Sequence, residues 1–270
     1  MNLFERILEF LSYELPVAPK PYGLFHLTAI LLVIVFAVVL SSIGRKRPNH
    51  VRGVLAAIIF VLICFEIYKQ LVFTYENGSW DYQWYIFPFQ FCSVPMYIGL
   101  LALFLPKGRF QDACYTFLAT FSLFAGLATM LYPNDVFIPT LGISIQTMVH
   151  HGGMLVLGIV IIARKKGALK WKNMVGAALV FVGLFVIAFL GNVIVHQFVS
   201  ETFNMFFVSP YYANHLPVLS TIQAELGYIV FLITYVIGFI GIAYLFLLIS
   251  RFLKYQVFRR HLRKPITVKG

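Results

Sequence analysis

The chain has 270 residues, 60% of them hydrophobic and only 11% charged, with a formal net charge of +11 and a mean hydropathy of +0.86. A soluble domain, in which about a quarter of residues would be charged, is excluded. In hydrocarbon every backbone N–H and C=O must be bonded within the structure, so a spanning chain is helical or a closed barrel; apolar runs about 20 residues long without period-2 alternation select helices.

The first residues, Met1 to Arg6, lack the basic region and cleavage site of a signal peptide, so the segment is expected to stay on the protein. Leu3, Ile7, Phe10 and Leu11 recur at helical spacing opposite Glu5, Arg6 and Glu9, which predicts a short amphipathic helix lying in the outer interface within residues 1–20. Seven apolar spans follow, at about 24 to 44, 53 to 75, 86 to 105, 112 to 131, 143 to 164, 172 to 198 and 224 to 250. They form one unit over 21–250, followed by a basic tail over 251–270, with no internal repeat or second domain. The fold class expected is therefore all-α, a polytopic seven-transmembrane-helix bundle.

Seven spans put the termini on opposite sides, and charge orients them. Arg45, Lys46, Arg47 and Arg52, then Lys107 and Arg109, then the cluster from Arg164 to Lys172, and finally the tail put 18 of the 21 basic residues on one side. The other side has only Arg6 and Lys20, with Glu5, Glu9, Glu14, Glu76, Asp81, Asp135 and Glu201. The positive-inside rule makes the basic side cytoplasmic, with the N-terminus outside. The net charge then records orientation, and no nucleic-acid partner is implied. The only long outer loop, about 199 to 222, is aromatic and nearly uncharged, as expected of an interfacial lid or re-entrant piece. The three cysteines, Cys64, Cys92 and Cys114, fall in different spans and make no disulfide framework.

Ionisable groups in hydrocarbon are costly and therefore informative. Glu66, Lys69 and Gln70 share a face of the second span at i, i+3 and i+4, either as a packing ion pair or as part of a site. The third span opens Phe87-Pro88-Phe89-Gln90-Phe91-Cys92-Ser93; a lone cysteine such as Cys92 is more often a small buried hydrophobe. In the fifth span Gln146 and His150 share one face and Thr147 and His151 the adjoining one, so either histidine can turn inward. One buried histidine bonded to a neighbouring helix is ordinary; two in succession are less so. The sixth span adds Asn192 and His196 at i, i+4. Counted at 1.5 Å per residue from the outer ends, Cys92, Lys69 and Asn192 lie at about 9 Å, His150 and His151 at about 11 to 12 Å, and Glu66 at about 14 Å. Four helices thus place polar groups in one layer, whereas the cytoplasmic halves are nearly free of them, which describes a one-sided cavity rather than a through pathway.

A cysteine attacks as its thiolate and an imidazole can take its proton, so Cys92 with His150 or His151 makes a nucleophile and base for acyl transfer, with Gln90, Gln146, Asn192 or Lys69 available to stabilise an oxyanion. Through Gln90-Phe91-Cys92, the outer turn Pro133-Asn134-Asp135 and His151-Gly152-Gly153, the chain resembles the YwaF-like bacterial membrane proteins, related to animal transmembrane protein 164, over roughly residues 20 to 250. The animal relative is an acyltransferase that moves fatty acyl chains between phospholipids with a membrane-embedded cysteine and histidine. That resemblance implies Cys92 as acyl acceptor and His151 as general base, with His150 competing.

The function expected is an intramembrane lipid acyltransferase in the bacterial cell membrane, acting on a phospholipid or glycolipid of the outer leaflet, without cofactor or metal. With water as acceptor the same residues make a lipid hydrolase. A transporter or channel would use Glu66, Lys69 and the histidines as coupling groups and would need polar residues on the cytoplasmic halves as well. A metal site built on His150, His151, His196 and Glu66 is disfavoured because adjacent helical histidines project about 100° apart.

Overall fold

The computed structural model describes residues 3–43, 49–75, 80–133, 136–165 and 167–262, with side chains through residue 256. Several charges used for orientation, including Arg45, Lys46, Arg47, Glu76, Asp135, Lys166 and the end of the tail, lie outside the described residues or side chains, as do Asn134 and Asp135 of the outer turn. The described chain is all-helical, and its one β-bridge pairs Glu14 with Thr140.

Helix α1 (Leu3–Leu11) precedes α2 (Leu24–Ser42), α3 (His50–Thr74) and α4 (Val94–Phe104). Next, α5 (Arg109–Phe117), a π-helical turn Leu118–Ser122 and α6 (Leu123–Leu131) make one continuous rod. The chain ends with α7 (Leu141–Arg164), α8 (Trp171–Phe198), α9 (Leu219–Leu226) and α10 (Tyr228–Leu262). Six of these units are long and apolar enough to cross a membrane: α2, α3, the Arg109–Leu131 rod, α7, α8 and α10, with α4 a shorter apolar helix. The rod and α7 bury more than half of their spans inside the protein. They pack on each other through Gly126, where a Cβ would stand 2.6 Å from the His151 carbonyl oxygen, and Gly158, where it would stand 2.8 Å from Leu123 Cβ. The remaining long helices turn most of their surface outward, as an apolar helix in lipid does. The core is strongly aromatic: Phe117, Phe121, Phe181, Phe239 and Tyr235 stack successively at centroid distances of 4.4 to 5.7 Å.

Helix α1 takes the predicted amphipathic form. Leu8 is buried, while Leu3 and Phe10 remain 75% and 80% exposed. It is tied to the bundle by the Tyr68 hydroxyl, which donates to the Leu11 carbonyl at 2.7 Å, and Leu15 N–H and Leu141 N–H extend the tie to the start of α7.

The third pass differs from expectation. A continuous helix from about residue 86 is replaced by a short 3₁₀ turn at Trp84–Ile86, a stretch of turns, and only then α4, whose first turn contains Pro95. Contacts with the antiparallel α3 set its depth: Gln70 meets Ile86, Glu66 meets Ser93, and the Arg52 guanidinium donates to the Leu103 carbonyl at 2.9 Å near the other end. Residues 84–93 therefore descend beside α3 without a continuous α-helical ladder, a backbone tolerated at such depth only where protein groups satisfy it. The expected seventh span is carried by α10, which Gly227, with a φ of +86°, separates from α9.

Candidate functional site

The irregular segment is satisfied by α3. The Gln70 amide nitrogen donates to the Ile86 carbonyl at 2.8 Å and to Glu66 Oε1 at 2.8 Å, and the Tyr82 hydroxyl donates to Gln70 Oε1 at 2.9 Å. Glu66, 5% exposed, also pairs with Lys69 Nζ at 2.7 Å and accepts from the Ser93 hydroxyl at 3.4 Å. A carboxylate in apolar surroundings needs several donors, and Glu66 has three. Burial, then the Glu66 charge, pushes the Tyr82 phenol above its usual range, keeping it a neutral donor. The sequence reading did not single out Tyr82; its only signal was a hydroxyl in an aromatic loop.

Cys92 sits two residues before α4, in the turns rather than on the helix. Across from it, α7 presents both histidines. His150, 2% exposed, bonds through Nε2 to the Cys92 backbone carbonyl at 3.0 Å, and its Nδ1 is buried with no partner. His151 bonds through Nδ1 to the Thr147 carbonyl, one turn back on its own helix, at 2.9 Å. Carbonyls only accept, so each imidazole nitrogen bonded to one carries the proton, and each neutral ring keeps its lone pair on the other nitrogen. Among the described residues no hydrogen bond joins Cys92 Sγ to either imidazole. Lys69 is the common electrostatic neighbour of Cys92, His150 and His151. Cys92, Glu66, Lys69, Gln70, His150 and His151 are thus brought into one neighbourhood, and Gln146 is buried one turn before His150 on α7.

Gln90, Asn192 and His196 face elsewhere. Asn192, fully buried on α8, grips both backbone groups of Met205: its amide donates to the Met205 carbonyl at 2.9 Å and accepts from Met205 N–H at 2.6 Å. Gln90 grips the flanking residues, donating to the Asn204 carbonyl at 2.9 Å and accepting from Phe206 N–H at 3.1 Å. His196 bonds the Glu201 carbonyl at 3.2 Å and stacks on Tyr211 at 3.8 Å. All three hold the long loop after α8, which folds Phe203, Met205 and Phe206 into the core. The site also lacks a conventional metal cluster: among the described residues no three His, Cys, Asp or Glu side chains gather at ligand spacing.

Six long apolar helices, a broken pass and a buried polar neighbourhood between α3, α4 and α7 define a multi-pass helical membrane protein. The model of the TMEM164 family matches residues 21–249, and the chain belongs to that family. No curated protein and no solved structure matches it.

Proposed function

We propose that this chain is an intramembrane lipid acyltransferase with Cys92 as the acyl-carrying nucleophile and the α1 side of the bundle facing the outside. The observation that supports it best is the bond from His150 to the Cys92 backbone, which sets the thiol-bearing segment against two imidazoles that each keep a free lone pair. Family membership and the resemblance to a phospholipid acyltransferase point the same way. The loop charges support the orientation.

In the first half-reaction His151 takes the Cys92 proton, the thiolate attacks the carbonyl carbon of a lipid ester, and the C–O bond breaks. The imidazolium returns its proton to the departing lysolipid alkoxide, leaving an acyl thioester on Cys92. In the second, imidazole takes the proton of an acceptor hydroxyl, the oxygen attacks the thioester, and the C–S bond breaks to restore the thiol. Lys69, whose charge acts on Cys92, His150 and His151, would stabilise the oxyanion of each tetrahedral intermediate. His150 keeps its proton on the nitrogen beside Cys92, so its role is to hold the segment, and His151 Nε2 is left as the base.

The test is to incubate purified protein with phospholipid and measure its mass. The reading expects an added acyl chain on Cys92, absent from Cys64 and Cys114, released by hydroxylamine and lost in Cys92→Ala. Full lipid remodelling by Cys92→Ala would overturn the covalent route and favour Ser93 or an activated water. Release of free fatty acid without transfer would favour a hydrolase.

A further inference from the structure

The two carboxamides that grip the loop after α8, Gln90 and Asn192, share a geometry that catalysis as proposed does not use. Asn204 C=O, Met205 N–H, Met205 C=O and Phe206 N–H are consecutive backbone groups, and all four are satisfied by two side chains, Gln90 and Asn192. Immediately beyond them Phe206 and Phe207 have φ of +58° and +57°. Side chains other than glycine pay for this left-handed backbone, and two in succession persist only where their surroundings enforce it. Phe206 is fully buried, with ring centroids 5.8 Å from Phe89 and 5.4 Å from Phe91. The loop is therefore clasped to residues 89–91, immediately before Cys92.

We infer that Gln90 and Asn192 are positioning residues for Cys92: together they lock a strained loop onto the segment that carries the thiol, so that releasing the loop releases Cys92. Asn192 gives the inference its edge. It sits on α8 and bonds only the loop, so any effect it has on Cys92 travels through residues 204–206. Gln90 bonds the two residues that flank Met205, Asn204 and Phe206, and the two side chains act in series through one loop segment. The strain at Phe206 and Phe207 biases the loop towards release once either clasp is removed. The inference rests on reading Cys92 as the nucleophile, but its test does not depend on acyl transfer.

The experiment measures alkylation of Cys92 by N-ethylmaleimide in the full-length protein, with Cys64, exposed on α3, as an internal reference in the same molecule. Gln90→Ala and Asn192→Ala are each expected to change the Cys92 rate relative to Cys64 at least tenfold. The double variant should change it no more than the larger single, because residues acting through one element are not additive. Gln90→Asn, a methylene too short to reach both partners, should behave like Gln90→Ala. If Asn192→Ala does not fold, Asn192→Leu, of similar volume, replaces it, with gel filtration and thermal unfolding as the fold check. A Cys92 rate within twofold of wild type in the Asn192 variant, or fully additive effects, would overturn the inference. Wild-type protein that never carries an acyl group would instead overturn the proposed function while leaving this result standing.

Discussion

A neutral imidazole has one N–H and one lone pair, and the partners of His150 and His151 fix which nitrogen has which. In His150 the protonated nitrogen is the one turned to Cys92, and the lone pair lies on the opposite side of the ring. In His151 the helix itself holds the proton, and Nε2 is left free. Accordingly His151→Ala is expected to slow acylation of Cys92 by about 10²- to 10⁴-fold, the usual worth of general-base assistance. His150→Gln, which can still donate to the Cys92 carbonyl, should retain much more activity, measured by single-turnover mass spectrometry; equal losses in both would sink this division of labour. The Glu66–Lys69 pair gives a second expectation. Lys69→Met leaves a buried carboxylate with only neutral donors, at a cost of about 3 kcal/mol, whereas Glu66→Gln/Lys69→Met should recover most of it. A double variant no more stable in detergent than Lys69→Met alone would mean that the ion pair contributes nothing. Depth was legible in the sequence for Lys69, His150 and His151, because on α3 and α7 the helical rise converts residue number into ångströms; Cys92 reaches them from the turns before α4, where that conversion does not hold. Azimuth was not: Gln90, Asn192 and His196 turn to the loop after α8, because apolar neighbours on all sides leave no amphipathic stripe to show which face is inward.

At the scale of elements, α6 approaches α7 backbone to backbone at His151. A methyl group at Gly126 would stand 2.6 Å from the His151 carbonyl and 3.1 Å from Leu155 N, so the backbones themselves must separate. Gly126→Ala should lower stability by about 1 to 3 kcal/mol. Because His151 is carried by the displaced helix, it should also reduce Cys92 acylation, whereas Gly183→Ala, in open space on α8, should change neither. Thermal unfolding and acylation measured on both variants would decide it. Six of the seven expected spans coincide with single helical units because long apolar runs allow few alternatives. The third does not, and the reason is visible in Trp84 to Phe91: aromatic residues keep the stretch hydrophobic across Pro88, so hydropathy passes smoothly over a break in backbone hydrogen bonding. The π-helical turn in the Arg109–Leu131 rod was equally hidden, since hydropathy does not register one extra residue per turn.

For the whole molecule, the direction of the bundle across the membrane is the property from which all access follows. A cysteine at Asp81, in the loop after α3, is expected to react with a membrane-impermeant reagent in intact cells, and one at Gly108, before α5, only after permeabilisation. Labelling at Gly108 from outside would reverse the orientation and move the site to the other leaflet.

The brevity of α4 has a consequence for the bilayer itself. Its 11 residues cover about 16 Å, near half of a hydrocarbon core about 30 Å thick. On its outer side Tyr97, partly exposed, donates its hydroxyl to the Pro88 carbonyl, and at its far end Phe104 is 80% exposed. The helical wall of this pass thus spans about one leaflet, and the irregular aromatic stretch from Trp84 to Phe91 supplies the rest. Cys92 stands at the junction of the two, two residues before the helix begins. On the proposed acyl transfer, protein reconstituted into bilayers of increasing acyl length should lose acylation rate as the thickening leaflet carries its ester level away from that fixed junction, at constant protein fold and constant headgroup.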